Sequence, residues 1–195
     1  MLSYLDDKKL KTDFVKEIKW HQDQDKLIKG TYAEGSNGDF RGCAVGCSIH
    51  SLNRLKHKKY STSNHAIYET ELGLPEWLAR LEDTIFEGLP NKEAMQWPLQ
   101  FSKAIPVGVD LEPVKWQFCA YLMKENIDRV LKLDISDKLK EQVVKAIRGV
   151  LSVHENAIKT GEWDKSAARS AESAAWSAAY IKHSKELLRL LKEAK

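Results

Sequence analysis

The sequence predicts a mainly helical protein, a single-domain bundle of about six or seven helices. Apolar residues recur at steps of three and four along most of the chain, as on the buried face of an amphipathic helix. Hydrophobic residues make up 43% and charged residues 30% of the 195, which is typical of globular rather than disordered proteins. We expect one domain over residues 1–195, in which residues 163–194 form a C-terminal helix packed on a core of residues 1–160.

The first helix is predicted to begin near Asp7, whose carboxylate suits a helix N-terminus, and to end at Gly30. Its buried face is marked by a four-residue spacing of Leu10, Phe14 and Ile18. The same spacing continues through His21 and Asp25. Two polar side chains are therefore expected on a face that packs against the core.

Residues 30–42 contain four glycines together with Ser, Asn and Asp, which predicts a loop or a short hairpin. A second helix is expected to begin at Cys43 and to run toward Leu55. In such a helix Cys43, Cys47 and His50 share one face. Gly46 weakens this prediction, because a glycine inside a helix costs about 1 kcal/mol relative to alanine.

Proline, glycine and capping residues mark the remaining elements. Further helical segments are expected at residues 75–88, 91–97, 98–105, 114–130 and 136–161. The 114–130 segment is apolar on nearly every side, which predicts that other helices enclose it. Residues 60–72 are predicted to be irregular, and most charged residues between Glu69 and Asp83 are expected on the surface.

The predicted C-terminal helix contains a seven-residue repeat of small side chains, Ser166-Ala-Ala-Arg-Ser-Ala-Glu followed by Ser173-Ala-Ala-Trp-Ser-Ala-Ala. A seven-residue period keeps one face toward a partner helix, and small side chains allow a close approach. The partner is either the preceding long helix or a second copy of the chain. The protein is thus expected to be a monomer or a homodimer formed through this helix.

Charge and hydropathy exclude several classes of partner. A net charge of +3 gives no strong outward field, so nucleic-acid binding is not expected. The longest strongly apolar stretch, Trp116 to Met123, is shorter than the ~20 residues of a membrane helix. With no signal-like apolar segment near Met1 and three cysteines interpreted as free thiols, we expect a cytoplasmic protein.

One candidate function is thiol-dependent catalysis, as in a hydrolase or transferase. A cysteine at a helix N-terminus experiences the positive end of the helix dipole, which lowers its pKa and favours the thiolate. Cys43 would be the nucleophile, with His21 or His50 as the base and Asp25 orienting the imidazole. Cys43, His21 and Asp25 are therefore the candidate catalytic residues.

A second candidate is a non-catalytic binding or regulatory module, which we favour. It would bind a host protein or a small anionic ligand in a cleft between the Gly-rich loop and the first helices. Its candidate ligand-binding residues are Tyr32, Glu34, Cys47, His50 and Arg80. No cofactor and no metal ligand are predicted on this interpretation.

A third candidate is a structural zinc site, because thiolate and imidazole groups suit zinc. Cys43, Cys47 and His50 would supply three ligands. The fourth would come from His21, His57 or His65. The Cys-x3-Cys-x2-His spacing does not match the common structural zinc patterns.

Several motifs together resemble a family of uncharacterised proteins from bacteria and their phages. They are His21 with Asp25, Gly30-Thr-Tyr32, Gly42-Cys-Ala-Val-Gly-Cys47, Tyr68-Glu-Thr-Glu-Leu-Gly-Leu-Pro75, Leu78-Ala-Arg-Leu-Glu-Asp83, Ile85-Phe-Glu-Gly-Leu-Pro90, Trp97-Pro98 and the Ala/Ser-rich tail. The resemblance implies an accessory role in phage or mobile-element biology. It supplies no activity.

Overall fold

The computed structural model describes residues 1–35 and 39–170, and it confirms that the protein is mainly helical. A short 3-10 helix at Ser3–Asp6 precedes the α-helices. These are α1 (Lys8–Asp23), α2 (Ala44–Lys56), α3 (Ile67–Leu72), α4 (Glu76–Gly88), α5 (Asn91–Ala94), α6 (Trp97–Ala104), α7 (Glu112–Leu131) and α8 (Asp137–Thr160). Within the described ranges, extended pairing is limited to isolated bridges such as Glu34 with Arg41, on either side of residues 36–38.

The chain divides into two compact units, Met1–Leu111 and Glu112–Lys195. The first contains α1 to α6, and the second contains α7 and α8. Residues 165–170 are helical, while the rest of the Ala/Ser-rich repeat, and with it the expected dimer seam, lies outside the described residues. The expectation of one domain over residues 1–195 stays a prediction.

Helix α2 forms the centre of the first unit and is buried on almost every side. The predicted start is confirmed, because Cys43 is the N-cap residue of α2. Gly46 is tolerated inside the helix because the backbone of the Gly-rich loop crosses it. A Cβ atom at Gly46 would lie 1.9 Å from the carbonyl oxygen of Tyr32. The glycine therefore permits a contact that a side chain would block.

The predicted end of the first helix is wrong. The start is as expected, since the Asp7 side chain accepts hydrogen bonds from the backbone N–H groups of Lys9 and Leu10. The helix ends at Asp23, and Asp25 adopts a left-handed conformation with φ 53°. The chain then runs extended and pairs with Gly42. Asp25 is consequently an exposed turn residue rather than part of a packed helix face.

The first residues of the chain form a left-handed turn, with positive φ at Tyr4, Leu5 and Asp6. This conformation costs about 1–2 kcal/mol for each residue that is not glycine. Contacts with residues 102–109 hold the turn. The Tyr4 hydroxyl donates to the Ser102 carbonyl oxygen at 2.6 Å, and the backbone of Ser3 pairs with Gly108 and Val109. The start and the end of the first unit therefore lie side by side.

Helix α4 begins and ends as predicted, at Glu76 and Gly88. Helix α3 was not predicted, because its six residues are mostly polar and lie in a segment without clear periodicity. Most charged residues between Glu69 and Asp83 were expected on the surface, and Glu82 is an exception. Glu82 is 1% exposed and lies on the buried face of α4, whose other buried residues are Leu78, Ala79 and Phe86.

In the second unit, α7 packs on α8. The sequence left Asp134 and Ser136 as alternative N-caps of α8, and Ser136 is the N-cap, while the predicted end is confirmed by Gly161 in a left-handed C-cap conformation. The prediction that α7 is enclosed is wrong. Tyr121 is 55% exposed, because the described partner covers only one side of the helix. No helix among the described residues is both long enough and apolar enough to cross a membrane.

Candidate functional site

His21 is fully buried on the inner face of α1, where its ring is held by neighbours from α1 and α2. Nδ1 lies 2.9 Å from the Glu17 carbonyl oxygen, which can only accept, so Nδ1 carries the proton. Nε2 then accepts a hydrogen bond from His50 Nδ1 at 2.9 Å. The Ser51 hydroxyl lies 3.2 Å from His21 Nδ1. The imidazole is thus satisfied by groups other than a thiol.

Burial disfavours the charged form of both histidines. It lowers the pKa of His21 to about 4, and it also lowers the pKa of His50. Phe40 stacks on the His50 ring with centroids 3.9 Å apart. The pair consequently ties α1 to α2 and to the end of the Gly-rich loop.

The predicted grouping of His21, Asp25 and Cys43 is not formed. The two ring nitrogens of His21 contact Glu17, His50 and Ser51, and Asp25 is exposed beyond the end of α1. The reason is the early end of the helix, which removes Asp25 from the face that carries His21. Asp25 therefore does not orient the imidazole.

Cys47 is a buried hydrogen-bond donor to backbone. Its Sγ lies 3.4 Å from the Gly42 carbonyl oxygen and 3.7 Å from that of Lys26. Burial raises the pKa of Cys47 to about 12. The thiol joins α2 to the extended segments at residues 26 and 42. Cys47 does not belong to the group of described residues whose donor atoms lie close enough together to hold a metal ion.

Cys43 lies where the sequence predicted, but its pKa is raised rather than lowered. Its Sγ accepts a hydrogen bond from the Gly46 N–H at 3.4 Å, as expected at a helix N-terminus. Burial raises the pKa of Cys43 well above its ordinary value, and the neighbouring Asp83 carboxylate adds to the effect. The thiol is therefore protonated at neutral pH, which disfavours a nucleophilic role.

A pocket of about 300 Å³ opens beside Cys43. It is lined by Gly30, Thr31, Tyr32, Cys43, Asp83 and Glu87. The loop lies against the start of α2 because the Thr31 carbonyl accepts a hydrogen bond from the Cys43 N–H at 2.8 Å. Glycines at positions 42 and 46 leave room for this crossing. The pocket thus lies between the Gly-rich loop and two helices, α2 and α4.

Asp83 points from α4 toward this pocket. Its Oδ1 is buried, and no donor among the described residues meets that atom with hydrogen-bonding geometry. Its Oδ2 lies 3.9 Å from Nε2 of the buried His65. The Tyr32 hydroxyl and the Cys43 thiol also interact with the Asp83 carboxylate. Because a buried carboxylate oxygen without a well-aligned donor is costly, the Asp83 bonding is incomplete.

Glu87 lies one helical turn beyond Asp83 on α4 and is exposed. Its carboxylate accepts hydrogen bonds from the Gly30 N–H at 3.0 and 3.1 Å. One donor atom from each of Cys43, Asp83 and Glu87 lies within 4.8 Å of the other two. Among the described residues this is the group that could hold a metal ion, and it contains neither Cys47 nor His50. The ligand set Cys43, Cys47 and His50 is therefore wrong.

Comparison with known protein families, curated proteins and solved structures found no match. The resemblance to uncharacterised bacterial and phage proteins stays a prediction.

The predicted ligand-binding residues lie in different places. Tyr32 lines the pocket, and burial, followed by the Asp83 charge, raises the pKa of its hydroxyl. Glu34 forms an ion pair with Arg41 at 3.8 Å, while Arg80 forms one with Glu76 on the exposed side of α4. Only Tyr32 of the five predicted residues is part of the pocket lining.

Sequence reasoning missed the acidic residues of α4. A signal was present for Glu82, because it occupies a position between apolar Ala79 and Phe86 at helical spacing. Glu82 accepts a hydrogen bond from the buried Tyr68 hydroxyl at 2.6 Å, and burial raises its pKa to about 8. For Asp83 and Glu87, the only signal was their spacing of four residues, which is common on exposed helix faces.

Proposed function

We propose that the protein is a non-catalytic binding module whose pocket, formed by Tyr32, Cys43, Asp83 and Glu87, binds a small cationic group. The observation that carries the proposal is the Asp83 carboxylate, whose buried Oδ1 has no donor in regular hydrogen-bond geometry and which lies beside a second carboxylate. The Tyr32 hydroxyl and the Cys43 thiol are close enough to interact with this carboxylate. A bound cation would supply the missing interaction.

The sign of the charge favours a cation over the anionic ligand suggested by the sequence. Two carboxylates line the pocket, and its described lining contains no basic side chain. Arg80, the residue considered for an anion, is engaged with Glu76. Desolvating an anion beside Asp83 would be unfavourable, because like charges repel strongly where water is excluded.

A binding role also agrees with the state of the thiols. Cys43 and Cys47 both have raised pKa values, and the His65 imidazole lies 3.9 Å from the Asp83 carboxylate. The three cysteines are free, which supports our further proposal that the protein functions in the reducing cytoplasm.

The proposal is tested by titrating the full chain with guanidinium, 1,4-diaminobutane, zinc chloride and sodium phosphate while recording backbone amide chemical shifts. We expect at least one of the cationic probes to shift the amides of Gly30, Tyr32 and Cys43 saturably. Asp83→Asn should weaken that binding by at least about tenfold, which is about 1.4 kcal/mol.

Glu76→Gln is the matched control, because Glu76 is an acidic residue of the same helix that is paired with Arg80 outside the pocket. It should leave the affinity unchanged. The proposal is wrong if none of the three cations shifts these amides, if phosphate alone does so, or if Asp83→Asn and Glu76→Gln weaken binding equally.

A further inference from the structure

We propose that the cation is a zinc ion bound by the Cys43 thiolate and the carboxylates of Asp83 and Glu87. This inference rests on the proposed function and names the class of its ligand. It differs from the zinc site considered from the sequence, because two of the three protein ligands come from α4 and neither Cys47 nor His50 takes part.

The three donors come from two elements that are fixed independently. Cys43 is the N-cap of the buried helix α2, while Asp83 and Glu87 are four residues apart and so project from the same side of α4. Their donor atoms lie within 4.8 Å of one another. Ligands around a tetrahedral zinc ion are separated by roughly 3.5 Å. Small side-chain rotations would therefore bring the donors to bonding distance.

The kind of donor selects the kind of ion. A thiolate favours zinc over magnesium and calcium, which prefer sites made only of oxygen ligands. Three protein ligands leave one position for water or for a ligand that enters the pocket. The open side of the pocket, where Glu87 is exposed, provides the route by which the ion would enter.

The protein has the means to stabilise a bound thiolate. The Gly46 N–H already donates to Cys43 Sγ at the positive end of α2, and the Gly30 N–H donates to the Glu87 carboxylate. Zinc binding would displace the thiol proton into solvent as the Zn–S bond forms. The thiolate and the two carboxylates carry three negative charges, and the zinc ion carries two positive charges. The ion would therefore relieve most of the repulsion among the three ligands.

The test uses the full chain, first freed of metal with a chelator and then titrated with zinc in competition with a chromophoric indicator. We expect one ion per chain, bound more tightly as the pH rises because one proton is released. Cobalt in place of zinc should give a thiolate-to-metal charge-transfer band in the near ultraviolet. That band reports a sulfur ligand directly, independently of any activity.

Cys43→Ser should abolish the charge-transfer band, whereas the matched variant Cys47→Ser should retain it, because Cys47 donates to backbone carbonyls. Cys43 is buried, so Cys43→Ser could disturb folding. Glu87→Gln provides a second variant at an exposed ligand, and it should weaken zinc binding by at least about tenfold. Glu76→Gln should have no effect.

The outcomes separate this inference from the proposed function. The zinc site is wrong if neither zinc nor cobalt binds, or if the cobalt band persists in Cys43→Ser. The binding function would still hold in that case if guanidinium or 1,4-diaminobutane bound and Asp83→Asn weakened that binding. If no cation binds, both proposals are wrong.

Discussion

At the scale of single residues, burial decides what the polar groups of the first unit can do. A helix N-terminus stabilises a thiolate by about 0.3–1 kcal/mol, which is less than one pKa unit. Full burial of an ionisable group can shift its pKa by several units. The position of Cys43 at a helix start could therefore be predicted from Gly42 and the apolar residues that follow. The sign of the Cys43 pKa shift could not be predicted from the sequence, because it depends on neighbouring residues of α4.

His21 gives the stability of the protein a predictable pH dependence. Its pKa is 6.5 in an unfolded chain and about 4 in the folded protein. Between these values the unfolded chain binds more protons, so the free energy of unfolding falls as the pH is lowered. The full effect of this group is about 3 kcal/mol. It is absent above pH 6.5, and it is complete once the pH falls below 4.

Urea denaturation of the parent chain and of His21→Gln at several pH values between 4 and 7.5 measures this effect. The variant should be less stable at pH 7.5, because the contacts with Glu17 and His50 change, but its stability should fall less steeply toward pH 4. Replacing the exposed His57 by Gln serves as the control and should keep the parent slope. Equal slopes in the parent and in His21→Gln would show that another group is responsible.

At the scale of secondary-structure elements, capping residues and helix-breaking residues predicted most helix ends correctly. The helix features that were predicted wrongly depend on tertiary contacts. Asp7, Ser136 and Gly161 mark the ends of helices as expected. The end of α1 was missed because Asp25 takes a left-handed conformation, which is uncommon for a residue other than glycine. Gly46 looked like a weakness in α2, yet the crossing loop requires it, and nothing in the local sequence indicates that crossing.

The two helical glycines of the first unit should therefore respond to alanine in opposite directions. Gly46→Ala should lower the free energy of unfolding by more than about 2 kcal/mol, because the new methyl group would overlap the Tyr32 carbonyl. Gly88→Ala should raise it by about 0.5–1 kcal/mol, because alanine reduces the freedom of the unfolded chain and meets nothing within 4 Å.

Chemical denaturation of both variants under the same conditions provides the comparison. Helix propensity alone would make both substitutions stabilising. A stabilised Gly46→Ala protein would thus show that the Gly-rich loop does not contact α2 at Gly46. The pocket beside Cys43 would then not be bounded by this loop.

At the scale of the whole molecule, the sequence predicted the helical class but not the division near residue 111. The candidate site likewise depends on which distant segments meet: the loop at residues 30–32, the start of α2 and the middle of α4. Single-sequence periodicity identifies a helix face without identifying its partner. This is why Cys43 and Tyr32 could be selected from the sequence, whereas Asp83 and Glu87 could not.

The division predicts that a fragment of residues 1–111 folds without the second unit. We expect it to unfold cooperatively in urea, with a helical circular dichroism signal. A fragment of residues 1–101 should not do so, because it lacks the groups of residues 102–109 that bond Ser3 and Tyr4. If both fragments fold equally well, or if neither folds, the first unit is not closed by these contacts.

The hydrogen bond from the Ser3 hydroxyl to the Pro106 carbonyl oxygen joins residues 103 positions apart, and it also affects how the chain folds during translation. Ribosomes add about 5–20 residues per second, so Ser3 is synthesised roughly 5 to 20 seconds before Pro106. Throughout that interval the left-handed turn lacks its hydrogen bonds to residues 102–109, and the Tyr4 side chain is not yet buried. The nascent chain would therefore present apolar surface to chaperones until synthesis has passed the end of the first unit.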